Sequence, residues 1–331
     1  YLPPPAATPS GGPAKAPAPP PTPAAGWSSE PFDLTALGAA NGTLSVALRA
    51  VTYHGLEVSR GDIQASLAGR VLKVAATRLA LAQGTIDATA TLDATQRAAR
   101  LDAHTVVAGV QARPLLKALA NSDRLGGTIA FENTVKGSGR TQKELVSSLA
   151  GAGMLRITNG AIYGINIAQT LRKAGTLGFG SSQAEKTDFA ELGGTYTIRA
   201  GVIDNRDMKM LAPLFRITGA GTVPLPARTV DYAVEAKLVP TIQGQGGTDA
   251  MAGVPIPIRV TGPWSHIAYQ IDWAGVFRGI AADPARLKAL PGDLGKAAQG
   301  FGVTLPSAGG AAGTALPSVP SLPIPKSLFG K

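Results

Sequence analysis

The stretch Val230-Asp-Tyr-Ala-Val-Glu-Ala-Lys-Leu238 decides the fold. Val230, Tyr232, Val234, Ala236 and Leu238 alternate with Asp231, Glu235 and Lys237, so one face is dry and the other wet. A period of two belongs to a strand, whose successive side chains point to opposite faces. The same alternation runs outward in both directions. Leu44, Val46 and Leu48 show it, as do Ile86, Ala88, Ala90 and Leu92, then Ile129, Phe131 and Val135. Tyr196, Ile198 and Val202 continue it, followed by Phe215, Ile217 and Val223 with Gly219 and Gly221 between them. Ile256, Ile258 and Val260, then Ile267, Tyr269, Ile271 and Trp273, close the series. Ten or more such strands, separated by Gly, Pro, Asn or Asp, predict an antiparallel sheet with one solvated face.

A second stretch, Leu155-Arg-Ile-Thr-Asn-Gly-Ala-Ile-Tyr-Gly-Ile-Asn-Ile167, reads as a strand, a tight turn at Asn159-Gly160, a short extended return and a helix capped by Asn166. Asn-Gly supplies the positive φ angles that a two-residue hairpin turn requires. Three short helices are predicted near Pro114–Ala120, Thr141–Leu149 and Asn166–Ala174. Pro114 suits a first helical turn. Thr141 and Glu144 have capping-box spacing, and Gly175 stands where a helix C-cap belongs. A fourth helix is expected from Val276 to about Leu290, with Phe277, Ile280 and Leu287 on one side and a break at Pro284.

The ends of the chain differ from its middle. Residues 1–26 carry ten of the 26 prolines and a single charge, Lys15, which predicts a disordered, extended linker. The β domain is expected over 27–274, short helices over 275–300, and a low-complexity, disordered tail over 301–331. The 331 residues are 44% hydrophobic and 16% charged, with 41 glycines, no cysteine and a formal net charge of +10. That glycine content suits a turn-rich sheet. Apart from the pair Arg172-Lys173, the basic residues are scattered singly, without the stacking aromatics or clustered cations of a nucleic-acid binder, so no nucleic acid is expected as a partner.

Reactive constellations are missing. His54, His104 and His266 lie far apart, with no second ligand at metal spacing. Gly137-Ser-Gly139 and Gly178-Phe-Gly180 read as turns rather than as nucleotide fingerprints. Asp188 and Glu191 are close in sequence, but Lys186–Leu192 reads as a loop entering a strand, where solvated carboxylates are ordinary. No enzyme, no metal and no cofactor is expected. No run of the sequence approaches the roughly 18 apolar residues of a membrane-spanning helix.

Several segments, in order, resemble the C-terminal region of the AsmA family of bacterial envelope proteins. They begin with Trp27-Ser-Ser-Glu-Pro-Phe-Asp-Leu-Thr-Ala-Leu37 and Asn41-Gly-Thr-Leu-Ser-Val46. Leu149-Ala-Gly151 leading into Ile157–Ile167 follows, then Thr187-Asp-Phe189, Gly201-Val-Ile-Asp-Asn205 and Ile217-Thr-Gly-Ala-Gly-Thr-Val223. Thr229-Val-Asp-Tyr232, Val254-Pro-Ile256 and Gly262-Pro-Trp-Ser265 complete the set; His266-Ile267 departs from the proline expected there. The resemblance implies a curved, extended antiparallel β-sheet with an apolar inner groove, a few short helices, and phospholipid acyl chains as partners. It also implies a periplasmic location and an inner-membrane anchor supplied by a helix upstream of Tyr1. It carries over no catalytic residue.

A one-sided sheet must cover its apolar face, and three or four short helices are few for ten strands. The candidate lipid-contacting residues are the large apolar side chains of one parity: Phe131, Ile198, Phe215, Ile217, Tyr232, Val234, Ile258 and Tyr269. Small residues on the same face, Ala88, Ala90, Gly219 and Gly221, are expected to leave room for acyl chains. Together with the resemblance, which implies a role between inner and outer membrane in support of outer-membrane biogenesis, this makes non-enzymatic binding or conduction of phospholipid the function expected. The alternatives are a closed sandwich that buries the same residues without a ligand, and a periplasmic scaffold that influences outer-membrane protein assembly through envelope protein partners.

Overall fold

The structure, a computed structural model, describes residues 26–164, 186–213, 215–239 and 253–281. Among the described residues, thirteen strands form one open antiparallel sheet in which each strand pairs with its neighbours in sequence. They are β1 (Gly42–Tyr53), β2 (Leu56–Ala68), β3 (Val71–Leu81), β4 (Gly84–Asp93), β5 (Ala99–Gln111), β6 (Leu125–Gly139) and β7 (Ala150–Tyr163). Then come β8 (Lys186–Arg199), β9 (Val202–Leu211), β10 (Phe215–Pro224), β11 (Thr229–Leu238), β12 (Pro255–Pro263) and β13 (Ala268–Ile271). The alternation read from the sequence is what makes such a meander fold: between bulges, each strand contributes apolar side chains of one parity to the same face.

Tight turns keep the strands consecutive. His54-Gly55, Gly69-Arg70, Ala82-Gln83 and Ala200-Gly201 each join two strands, and both residues of each pair have positive φ. That is the signature of the type I′ hairpin, whose twist matches the strands it joins. The expected turn at Asn159-Gly160 is not among them. Strand β7 runs unbroken through both residues. Asn159 (φ 50°) sits instead where the register between β6 and β7 shifts by one residue, a bulge opposite Gly127. Asn-Gly supplies positive φ to a bulge as readily as to a turn, and periodicity does not separate the two.

Other sequence expectations shift for related reasons. Lys186–Leu192 lies in β8 throughout and is no loop. Gly137 and Gly139 lie within β6, not in a turn. Val202 follows a hairpin and pairs with Arg199, so it falls on the opposite face from Tyr196 and Ile198; Ile203 takes the place facing Ile198. Helix α1 (Ala112–Ala120) begins two residues before the expected Pro114, and α2 (Gln142–Ser148) falls inside the expected range. Helix α3 (Trp273–Ala281) starts ahead of Val276. The helix expected over Asn166–Ala174 and the end of the fourth lie outside the described residues, as do the linker over 1–25 and the tail over 301–331.

Register breaks recur between β2 and β3, β3 and β4, β5 and β6, β6 and β7, β8 and β9, and β9 and β10. Each bulge bends its strand and increases the local twist, which curves the sheet. Two bulges are held by aspartates. The freed Arg78 amide donates to Asp87 Oδ1 (2.8 Å), and the Thr195 amide donates to Asp207 Oδ1 (2.8 Å).

The core is one row of the dry face. Val110, Ile129, Ile157, Leu192, Met210, Ile217, Ala236 and Ile256 are successive cross-strand partners from β5 to β12. All but Leu192, which packs against them, are buried. Leu115 of α1 covers the row near one end, and Trp273 and Val276 of α3 join it near the other. At the opposite ends of the strands, residues 26–41 lace the turns together. The Trp27 indole donates to the Leu225 carbonyl (2.7 Å), Phe32 N to Arg140 O (2.7 Å), and Gly69 N to Asn41 Oδ1 (2.9 Å). The Arg228 guanidinium lies over both the Trp27 and Trp264 rings.

Candidate functional site

In an antiparallel ladder, residues directly opposite one another project to the same side of the sheet. Pairing therefore shows which side chains share a face. Parallel to the buried row runs a second apolar row. Ile86, Val107, Phe131 and Leu155 are successive partners across β4–β7, and Met208, Gly219, Val234, Ile258 and Ile271 are so across β9–β13. A third, further along the strands, links Ala65, Val74, Ala90, Ala103, Val135, Gly151, Ile198, Ile203 and Val223.

All eight predicted residues fall on this face. Phe131, Val234 and Ile258 belong to the second row, Ile198 to the third, and Ile217 to the buried one, with Phe215 two residues before it on β10. Tyr232 and Tyr269 belong to a further row described below. Burial divides them. Ile198, Phe215 and Ile217 are already covered by protein, at 6%, 2% and 6% exposure. Phe131, Tyr232, Val234, Ile258 and Tyr269 are half-buried and keep accessible surface. Toward β1 the face opens: Leu44 is 59% exposed and Val46 36%.

The room expected at Gly219 and Gly221 is not there. A side chain at Gly219 would meet the Met208 methyl group, and one at Gly221 would meet the Tyr232 ring. Cross-strand aromatics cover glycines twice more: Tyr196 lies over Gly153 and Phe189 over Gly160. A ring lying against a glycine shields the strand there.

Between the second and third apolar rows lies a row that the sequence reading did not single out. Its members are Thr105, Asn133, Gly153, Tyr196, Asn205, Gly221, Tyr232, Val260 and Tyr269, each the partner of the next. The Tyr196 hydroxyl donates to Asn133 Oδ1 (3.0 Å), and the Tyr232 hydroxyl donates to Asn205 Oδ1 (2.6 Å). Asn205 is buried, and its amide donates to Thr195 O (2.6 Å) and Asp207 Oδ1 (2.8 Å). Burial, with smaller contributions from Asp207 and Asp204, pushes the Tyr232 phenol up to about 12; burial also raises Tyr196 and Tyr269. All three remain neutral hydroxyls at physiological pH. The signal was available: Asn133 occupies an apolar position between Phe131 and Val135.

The wet face carries ion pairs between strands. Glu191 accepts from both Arg156 (2.7 Å) and Lys209 (2.9 Å), which hold its carboxyl below the usual range, and Asp188 pairs with Lys186 (3.0 Å). The two carboxylates are thus engaged separately. Among the described residues no helix is long and apolar enough to cross a membrane.

A model of the AsmA family matches residues 21–208, more than half of the chain. Protein AsmA of Escherichia coli (strain K12) is 22% identical over 252 residues, which cover 74% of this chain and 41% of that protein. The chain thus spans about two fifths of that relative's length. No solved structure matches.

Proposed function

The chain belongs to the AsmA family, and from that premise we propose that it is a non-enzymatic protein of the bacterial envelope that binds or conducts phospholipid between inner and outer membrane, in support of outer-membrane biogenesis. Acyl chains lie on the dry face of the sheet. In this reading the sheet stands in the periplasm and is tied to the inner membrane by a segment outside these residues. One observation carries it: apolar rows run from strand to strand across one face of the sheet, helices pack against the buried row, and the face is exposed at β1. Each CH₂ of an acyl chain buried there contributes about 0.8 kcal/mol, so a lipid covers the face at a gain where water covers it at a cost.

A charge on the half-buried part of the face tests the reading. Val234→Asp places a carboxylate beside Ile258, where an open groove admits water and a closed core does not. The expected outcome is a folded variant that has lost the phospholipid co-purifying with the detergent-free wild type, by native mass spectrometry. Glu235→Ala on the wet face should keep both fold and lipid. A wild type without lipid, together with an unfolded Val234→Asp, sinks the proposal.

The scaffold reading is favoured by a different feature. Strand β1 is a twelve-residue edge with exposed Leu44, Val46 and Val51, and edges of this kind accept another strand. Loss of a protein partner on introducing Lys at Val46, with lipid content unchanged, would favour it.

A further inference from the structure

We propose that the row of Thr105, Asn133, Tyr196, Asn205, Tyr232 and Tyr269 is a polar rail for the ester linkages of a two-chain lipid, with the acyl chains on the apolar rows at either side; this rests on the lipid reading above. The rail runs across the strands, from β5 to β13, in the same direction as the apolar rows. Rows two residues apart along a strand are separated by about 7 Å, so a lipid lying along the face meets both kinds of surface at once.

The rail's own bonds orient it. Asn205 is saturated by Tyr232, the Thr195 carbonyl and Asp207. The Tyr196 hydroxyl fixes the oxygen of Asn133, which leaves the Asn133 amide N–H groups without a protein acceptor among the described residues. Thr105 one strand away has a hydroxyl in the same condition. These atoms are not sealed in, since among the described residues no buried side-chain polar atom lacks a partner; they face the accessible part of the groove. Donors poised there call for an acceptor. None of the rail residues is charged, and its phenols stay neutral, so a phosphate gains no counter-charge on it. Neutral ester carbonyls match the donors without one. The charged headgroup then remains outside, towards solvent.

The test compares a diester phosphatidylglycerol with its diether analogue of equal chain length, each offered from vesicles to the detergent-free protein. Retained lipid is measured by mass spectrometry after gel filtration. Ether oxygens are poorer acceptors than carbonyls, so the wild type should retain the diester several-fold better. The double variant Asn133→Leu with Thr105→Val should bring the ratio to one while still holding lipid through the apolar rows. Equal retention by the wild type, or an unchanged preference in the variant, overturns the rail. If the variant fails to fold, the wild-type ratio alone decides. If the wild type retains neither lipid, the rail falls together with the lipid reading, whereas equal retention of both overturns the rail only.

Discussion

Tyr232 shows how one side chain serves two ends at once. Its ring covers Gly221, and its hydroxyl satisfies the otherwise orphaned oxygen of buried Asn205. Removing only the hydroxyl leaves that acceptor unpaired, a loss of about 1–3 kcal/mol. Tyr232→Phe should therefore lower the denaturant midpoint at unchanged m-value, and Tyr269→Phe, at the sheet's edge, should do so less. A second residue-scale expectation concerns Ala200, held at φ 48° in the hairpin between β8 and β9. The left-handed region costs an L-residue other than Asn, Asp or Gly roughly 1–2 kcal/mol, and Asn-Gly is the preferred pair for this turn. Ala200→Asn should raise the melting temperature. An unchanged or lowered value would mean that the turn is not of this type.

At the scale of elements, helix α2 is fastened at three points. Thr141 Oγ1 accepts from the Glu144 amide (3.1 Å), the Glu144 carboxylate accepts from the Arg140 amide (2.8 Å), and buried Val146 faces inward. Its backbone rests directly on Gly139 of β6, so a methyl group there would strike the Leu145 amide. Backbone cannot rotate away as a side chain can. Gly139→Ala should cost about 1–3 kcal/mol, the range of overpacking, and should expose α2 to proteases before the sheet. Strands β7, β8 and β9 are joined on the wet face by Glu191, whose pKa is lowered first by Lys209 and then by Arg156. A depressed folded pKa means that the triad's contribution is fully present above the ordinary glutamate range, about 4.3, and is lost as pH falls through the folded value. Glu191→Gln should therefore lower the melting temperature at pH 7, and the difference from the wild type should shrink as the pH falls below the ordinary glutamate range. A difference that stays constant with pH would argue against the triad.

At the scale of the whole molecule, the described strands form a meander in which each hydrogen-bonds to its sequence neighbours in the sheet. Such an array stabilises itself locally, much as repeat proteins do, and its ends should be weakest. Burial agrees: β1 carries the most exposed apolar side chains of the sheet, while Ile157 on β7 and Phe189 and Ile198 on β8 are almost wholly covered. Amide hydrogen exchange should be fastest in β1 and slowest in β6–β8. Uniform protection across all thirteen strands would show a single cooperative unit instead. The same gradient serves the proposed function, since an open end of the face is where a lipid gains access.

The sequence by itself determined that the chain is an antiparallel sheet with one dry face, because period-two alternation at Val230–Leu238 and its counterparts is a local property of each strand. It also placed eight large side chains on that face, since parity holds along a strand between bulges. Tertiary structure alone decided three further matters. Asn159-Gly160 proved to be a bulge and not a turn, a choice made by the strands on either side and not by the dipeptide. The space at Gly219 and Gly221 proved to be filled, because Met208 and Tyr232 come from neighbouring strands whose register no single strand encodes. The polar row emerged for the same reason: Thr105, Asn133, Tyr196, Asn205 and Tyr232 are far apart in sequence, and only the hydrogen-bonded register of the sheet sets them side by side.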